Sequence, residues 1–148
     1  MWSQDFKEFV GLLNSHDVEY LVVGAYAVGV HGRPRYTGDL DVWIRPTPEN
    51  ARRLIHVLEA FGFGTLGLKQ SDFSQDRRVI ELGYPPFRID LITFATGLDF
   101  EKCWPNRLTI EYAGVLTAFI GLDDLKTNKK ATGRPKDLGD LDELERKP

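Results

Sequence analysis

Asp39 and Asp41 flank Leu40 at the head of Leu40-Asp41-Val42-Trp43-Ile44, a run that otherwise reads as a buried strand. Successive side chains on a strand point to opposite faces, so the two carboxylates share one face about 6.5 to 7 Å apart. Two like charges placed this way repel each other and lose hydration, an arrangement that a cation between them would relieve. Oxygen ligands of this kind select a hard ion, Mg2+ first and Mn2+ in its place. Asp90 repeats the anomaly within Phe87 to Thr93, where Phe87, Ile89 and Leu91 share one face and the acid points to the other. Three acids on one face of neighbouring strands can hold two metal ions ~3.5 to 4 Å apart, the arrangement used to activate an acceptor hydroxyl and hold a triphosphate. The simpler alternative is that the acids pair with Arg33, Arg35 and Arg88 or face solvent.

The complementary half precedes them. Gly24 ends the apolar run Leu21-Val22-Val23 and Ala25 opens a helix, so small residues leave the first unpaired helix N–H groups open to an anion such as a triphosphate. Arg33 and Arg35, in the loop before the acids, are further candidates for neutralising phosphate, with plain surface charge as the alternative. Trp43 falls on the carboxylate face and either lines a base-binding wall or covers the sheet. A lone histidine such as His31 is more often structural than functional.

These groups need elements to hold them. Phe6, Phe9, Val10 and Leu13 recur at helical spacing over residues 5 to 14, and Tyr20 to Val23 follows as a buried strand. Ala25 to His31 reads as a short helix and Leu40 to Ile44 as the second strand. Thr47 is placed to cap a helix with Pro48 in its first turn and a stripe of Ala51, Leu54, Ile55, Leu58 and Phe61 running to Gly62. Phe63 to Arg77, Gly-rich and then polar, reads as irregular, a candidate mobile lip over the site. Strands are expected at 79–82, 87–93, 108–112 and 115–120, a helical turn at 99–104, and helices at 122–132 and 136–146. The fold class is α/β (α+β): a single domain over 1–148 with a mixed sheet and helices mainly on one side. Residues 1–95 are expected to form the sheet core that carries the acids, and 96–148 to complete the site.

Composition narrows the setting. The chain has 148 residues, long enough for one ordinary core without disulfides. A net charge of −3 argues against a broadly basic nucleic-acid binder. A single cysteine, Cys103, excludes an intrachain disulfide and a cysteine-based zinc site, and points to a reducing, cytoplasmic home. No apolar run approaches the ~20 residues of a membrane span, and the charged opening lacks the order of a signal peptide.

Taken together, these residues resemble the nucleotidyltransferase superfamily with the DNA polymerase beta-like fold. Its pattern is a strand, Gly followed by Gly or Ser, a short helix, an Asp-hydrophobic-Asp pair on the next strand and a third acid on a later one. Gly24, Asp39, Asp41 and Asp90 match it. The run Val23-Gly24-Ala25, His31-Gly32-Arg33-Pro34-Arg35, Thr37 and Asp39-Leu40-Asp41 is similar to uncharacterised bacterial members of the abortive-infection toxin-related nucleotidyltransferases. Asp124-Leu125-Lys126, Lys129, Gly133-Arg134-Pro135-Lys136-Asp137 and Asp140-Leu141 resemble the second signature of that group.

The resemblance implies a magnesium-dependent transfer of a nucleoside monophosphate from an NTP, ATP among them, to a hydroxyl acceptor: RNA such as tRNA, a protein or a small molecule. It implies metal ligands at Asp39, Asp41 and Asp90, a catalytic Lys129 oriented by Asp137, and nucleotide contacts at Gly24, Ala25, Arg35, Thr37, Lys129, Arg134 and Asp137. It also raises a toxin-antitoxin partner. Without it, the basic tail around Lys126, Lys129, Lys130, Arg134 and Lys136 reads as a solvated face, because acids are interspersed with it. One departure stands out: Ala25 replaces the usual Ser or Gly, removing a hydroxyl whose single hydrogen bond is worth ~0.5 to 1.5 kcal/mol. Two alternatives stay open: a non-catalytic nucleotide- or partner-binding module of the same fold, antitoxin-like or regulatory, and a sugar-nucleotide transferase using an Asp-x-Asp pair. The latter needs neither the Gly24-Ala25 turn nor Asp90, and the chain is short for it.

Overall fold

The computed structural model describes residues 2–34, 37–75 and 77–146. Helix α1 (Gln4–Ser15) starts where the Ser3 hydroxyl accepts from the Phe6 amide, and it buries the expected Phe6, Phe9, Val10 and Leu13. Strand β1 (Tyr20–Val23) is buried throughout and runs directly into α2 (Gly24–His31). Strand β2 (Leu40–Ile44) follows, then α3 (Pro48–Phe61), capped by Thr47 and ended by Gly62 in the left-handed conformation. The chain continues through α4 (Gln70–Ser74), β3 (Val79–Leu82), β4 (Ile89–Ile92) and α5 (Phe100–Cys103). A hairpin of β5 (Leu108–Tyr112) and β6 (Val115–Phe119) leads to α6 (Leu122–Thr132) and α7 (Pro135–Glu145).

The six strands form one mixed sheet in the order β3-β4-β2-β1-β6-β5. Strand β2 is antiparallel to β1 and parallel to β4, and β1 is parallel to β6. Alternation decides what each face receives: Leu40, Val42 and Ile44 are fully buried, while Asp41 between them is partly exposed. Buried Asn50 ties α3 to the sheet, accepting from the Glu19 amide at 2.7 Å and donating to the Glu19 and Arg45 carbonyls. Both amide protons and the carbonyl oxygen of the buried side chain thereby have partners.

Two expectations are corrected. The stretch from Phe63 to Arg77 is not an irregular lip over the acids, because α4 packs on α3 and Phe73 is 1% exposed in the core. A buried aromatic outweighs the polar composition around it. Strand β4 is shorter than Phe87 to Thr93, and Phe87 lies outside it, half exposed with its ring edge-on to Phe6. Arg35, expected to contact nucleotide, and Tyr36 lie outside the described residues.

Candidate active site

Strand pairing assembles the acids. In the parallel β2–β4 register Asp41 stands opposite Asp90, and on the far side of β4 Glu81 of β3 stands opposite Asp90. Asp39 sits just before β2. Its loop is held close to the β3–β4 connection: a Cβ at Gly38 would lie 2.0 Å from the Pro86 carbonyl oxygen. Only a residue without a side chain passes there.

Gly24 has a more direct role than leaving helix N–H groups open. Its φ of +70° lies in the left-handed region, and a Cβ on it would come within 2.1 Å of Asp41 Oδ2. The strand-to-helix turn thus presses its bare backbone against the carboxylate. Gly24→Ala is expected to lower stability by about 1 to 2 kcal/mol from backbone strain alone, with more from the collision, and to displace Asp41. Urea unfolding, together with nucleotide binding by the folded fraction, checks this; an unchanged midpoint would show that the turn has room.

Asp41 carries the electrostatic consequence. Burial pushes its carboxyl up to about 7, helped by the negative charges of Asp90 and Asp39 and a hydrogen bond to Asp90, with the nearby Lys136 ammonium opposing. Two carboxyl groups that share a hydrogen bond need a proton or a cation between them. That donor set, all oxygen and partly desolvated, fits a hard divalent ion. Among the described residues, however, no three His, Cys, Asp or Glu side chains gather into a ready metal cage. Arg88 sits among these acids. Its guanidinium forks onto Asp90, Nε to Oδ1 at 2.7 Å and Nη2 to Oδ2 at 2.9 Å, and Nη2 also meets Asp39 Oδ2 at 3.2 Å and Glu81 Oε2 at 3.5 Å.

The C-terminal signature folds into its own network. Lys129, 7% exposed, lies 3.1 Å from Asp140 and 3.5 Å from Asp137, so α6 and α7 are joined by a buried ion cluster. Arg134 forks onto Asp137 at 2.7 and 3.2 Å and, with Lys129, holds that carboxyl well below the usual carboxylate range. Asp137 and Asp140 thus both hold the Lys129 ammonium. The α7 lysine whose charge reaches Asp41 is instead the exposed Lys136, in the helix's first turn.

Other candidates have these neighbours. The Thr37 carbonyl accepts from the Tyr26 hydroxyl at 2.9 Å, anchoring the loop before Asp39 to α2. Ala25 opens onto an apolar cavity of about 280 Å3 between α2 and β5, lined also by Tyr26, Val30, Pro34, Ile110 and Tyr112. His31 Nε2 lies 2.7 Å from the Ile120 carbonyl, tying the end of α2 to the residue that follows β6. Trp43 is buried, with Phe100 edge-on to its ring. Sequence reading underweighted Arg88 and Lys136 and passed over Glu81. The two-residue spacing of Arg88 and Asp90, which places both side chains on one strand face, was the available signal for the first.

No protein-family model matches the chain, and no curated protein sequence does. Solved structures do match. The chain is similar to a Thermotoga maritima protein assigned as a nucleotidyltransferase, at TM-score 0.60 and 14% identity over 93% of this chain and 88% of that one. It is similar to the lincosamide antibiotic adenylyltransferase LnuA solved with lincomycin bound, at TM-score 0.60 and 13% identity over 98% and 97%. A third is ANT(2″)-Ia in complex with adenylyl-2″-tobramycin, at TM-score 0.58 and 14% identity over 94% and 84%. What the chain shares with all three is the nucleotidyltransferase fold.

Proposed function

We propose that this chain is a magnesium-dependent nucleotidyltransferase that moves a nucleoside monophosphate from an NTP to a hydroxyl acceptor. The observation that carries the reading is Asp41, set opposite Asp90 by strand register and pressed against the bare Gly24 turn, on a fold shared with adenylyltransferases. Asp39, Asp41 and Asp90 would hold Mg2+ or Mn2+, which supplies charge neutralisation for the triphosphate and lowers the proton affinity of the attacking hydroxyl. The Gly24-Ala25 backbone would offer the N–H groups at the start of α2 to the triphosphate. Lys136 adds positive charge from the α7 side. Lys129, with Asp137 and Arg134, is the phosphate contact that the second signature implies, and in the structure these three fix where α7 stands.

As the acceptor oxygen bonds to the α-phosphorus, the bond to the bridging oxygen breaks and pyrophosphate leaves; the hydroxyl proton passes to an Asp90 carboxylate oxygen. The bound lincomycin and adenylyl-tobramycin of two similar structures favour a small-molecule acceptor. The two sequence signatures favour kinship with the abortive-infection toxin-related group, hence an RNA or protein acceptor and a partner antitoxin.

Incubating the protein with each α-phosphate-labelled NTP, Mg2+ and cell extract tests the reading. Labelled acceptor and released pyrophosphate are expected, and Asp90→Asn should reduce both at least 100-fold while keeping most nucleotide affinity. A second reading, a nucleotide-binding module without chemistry, is favoured by one observation: Arg88 already neutralises Asp90 and Asp39. Absence of pyrophosphate release with every NTP, in the wild type and in Asp90→Asn alike, would establish it.

A further inference from the structure

Arg88 is the one guanidinium among the described residues paired with two of the three site carboxylates, Asp39 and Asp90, and it also reaches Glu81. It carries one positive charge against these three acids, with Asp41 beyond them. Its backbone is fixed, since the Arg88 carbonyl accepts from the Leu40 amide at 2.9 Å in continuation of the β2–β4 pairing. Its side chain is 27% exposed, and Asp39 and Glu81 are more exposed still. A guanidinium held this way has a rigid root and a solvent-facing head. Its pairs with Asp39 and Glu81 face water and are individually weak, and the fork onto Asp90, whose side chain is 11% exposed, is the stronger hold that a competing cation has to displace.

We propose that Arg88 is an exchangeable counter-cation: it holds the carboxylates together in the metal-free protein, yields them to a divalent ion, and then turns its guanidinium to the polyphosphate that the ion brings. The inference rests on the nucleotidyltransferase reading of the same site. A permanent pair would keep Arg88 on both Asp90 oxygens while Asp41 shares a further hydrogen bond with the same carboxylate, leaving little of its lone-pair capacity for a metal or a proton. Exchange resolves this conflict. A divalent ion offers oxygen ligands twice the charge in a smaller radius, and a freed guanidinium matches phosphate oxygens in the same forked manner in which it matches a carboxylate. Arg88 is therefore a positioning residue in the resting protein and a ligand-binding one in the loaded protein.

Two probes read opposite signs. Measured by calorimetry at pH 8, Arg88→Gln is expected to bind Mg2+ alone about five- to tenfold more tightly than the wild type, because a competing cation is gone. The same variant is expected to bind magnesium tripolyphosphate about tenfold more weakly, because the forked anion contact is gone. Arg88→Lys, which keeps the charge without the fork, should lie nearer the wild type for Mg2+ and nearer Arg88→Gln for tripolyphosphate. Should Arg88→Gln fail to fold, the Arg88 Nε–H resonance of the wild type serves instead; it should shift on adding Mg2+ and again on adding tripolyphosphate. Equal Mg2+ affinity in wild type and Arg88→Gln, or an Arg88 resonance unmoved by saturating Mg2+, would overturn the exchange while leaving the nucleotidyltransferase reading in place. No Mg2+ binding by either protein would overturn both, and Arg88 would stand as a permanent counter-ion of a binding module.

Discussion

Asp41→Asn is expected to stabilise the metal-free protein at pH 8 and, in the same tube, to abolish magnesium-dependent nucleotide binding. Opposite signs for stability and function mark a group kept for chemistry. Folding raises the Asp41 carboxyl from 3.8 to about 7, with burial as the main cause and Asp90 and Asp39 as the next. Between these values the folded chain holds a proton that the unfolded chain has lost, so unfolding becomes easier as pH rises through the window. The cost is absent below about pH 4 and fully present above pH 7. Since Asp41 is only partly buried, its size is on the order of 2 kcal/mol rather than the whole shift converted at 1.36 kcal/mol per unit. Asparagine cannot ionise and removes the cost. Urea unfolding of both proteins at pH 4, 6 and 8 without metal measures it: the curves should converge at pH 4 and separate at pH 8. Parallel pH profiles would sink the idea that Asp41 titrates in this range.

Lys129→Met is expected to lower stability by about 3 to 5 kcal/mol, the usual result of removing one partner from a buried ion cluster. Its ammonium is the shared partner of Asp137 and Asp140, whose side chains are 1% and 8% exposed. Methionine fills much of the same volume but leaves both carboxylates short of a cation. Arg134 still forks onto Asp137. Lys130→Ala, on the exposed side of the same helix, should cost less than 0.5 kcal/mol. Binding of magnesium tripolyphosphate by the folded protein separates two roles for the tail. If α7 serves mainly to deliver Lys136, then Lys136→Ala weakens that binding with little change in unfolding midpoint, while folded Lys129→Met binds nearly as wild type. If Lys129 itself touches phosphate, its loss weakens binding by at least as much as the loss of Lys136.

Several parts of this protein were legible from residue order because they depend on local geometry. The two-residue period of a strand puts Asp39 and Asp41 on one side and Leu40, Val42 and Ile44 on the other wherever β2 lies. Thr47 caps α3 by accepting from the amide three residues on, and the apolar stripes of α1 and α3 follow the helical period. Gly24 could be read as a turn, and α6 begins and ends where its sequence says. Tertiary structure alone decided which distant strands lie side by side. The parallel β2–β4 register sets Asp90 opposite Asp41, raises the Asp41 carboxyl, and puts Arg88 within reach of Asp39; no local pattern specifies that register. The same holds for Phe73, whose burial against α3 turned an apparently loose segment into α4. It holds too for the Lys129–Asp137–Asp140 cluster, which exists only because α6 and α7 pack together. Side-chain period is a property of a few bonded neighbours, whereas pairing, burial and the charge shifts they cause are set by contacts that form only when the whole sheet closes.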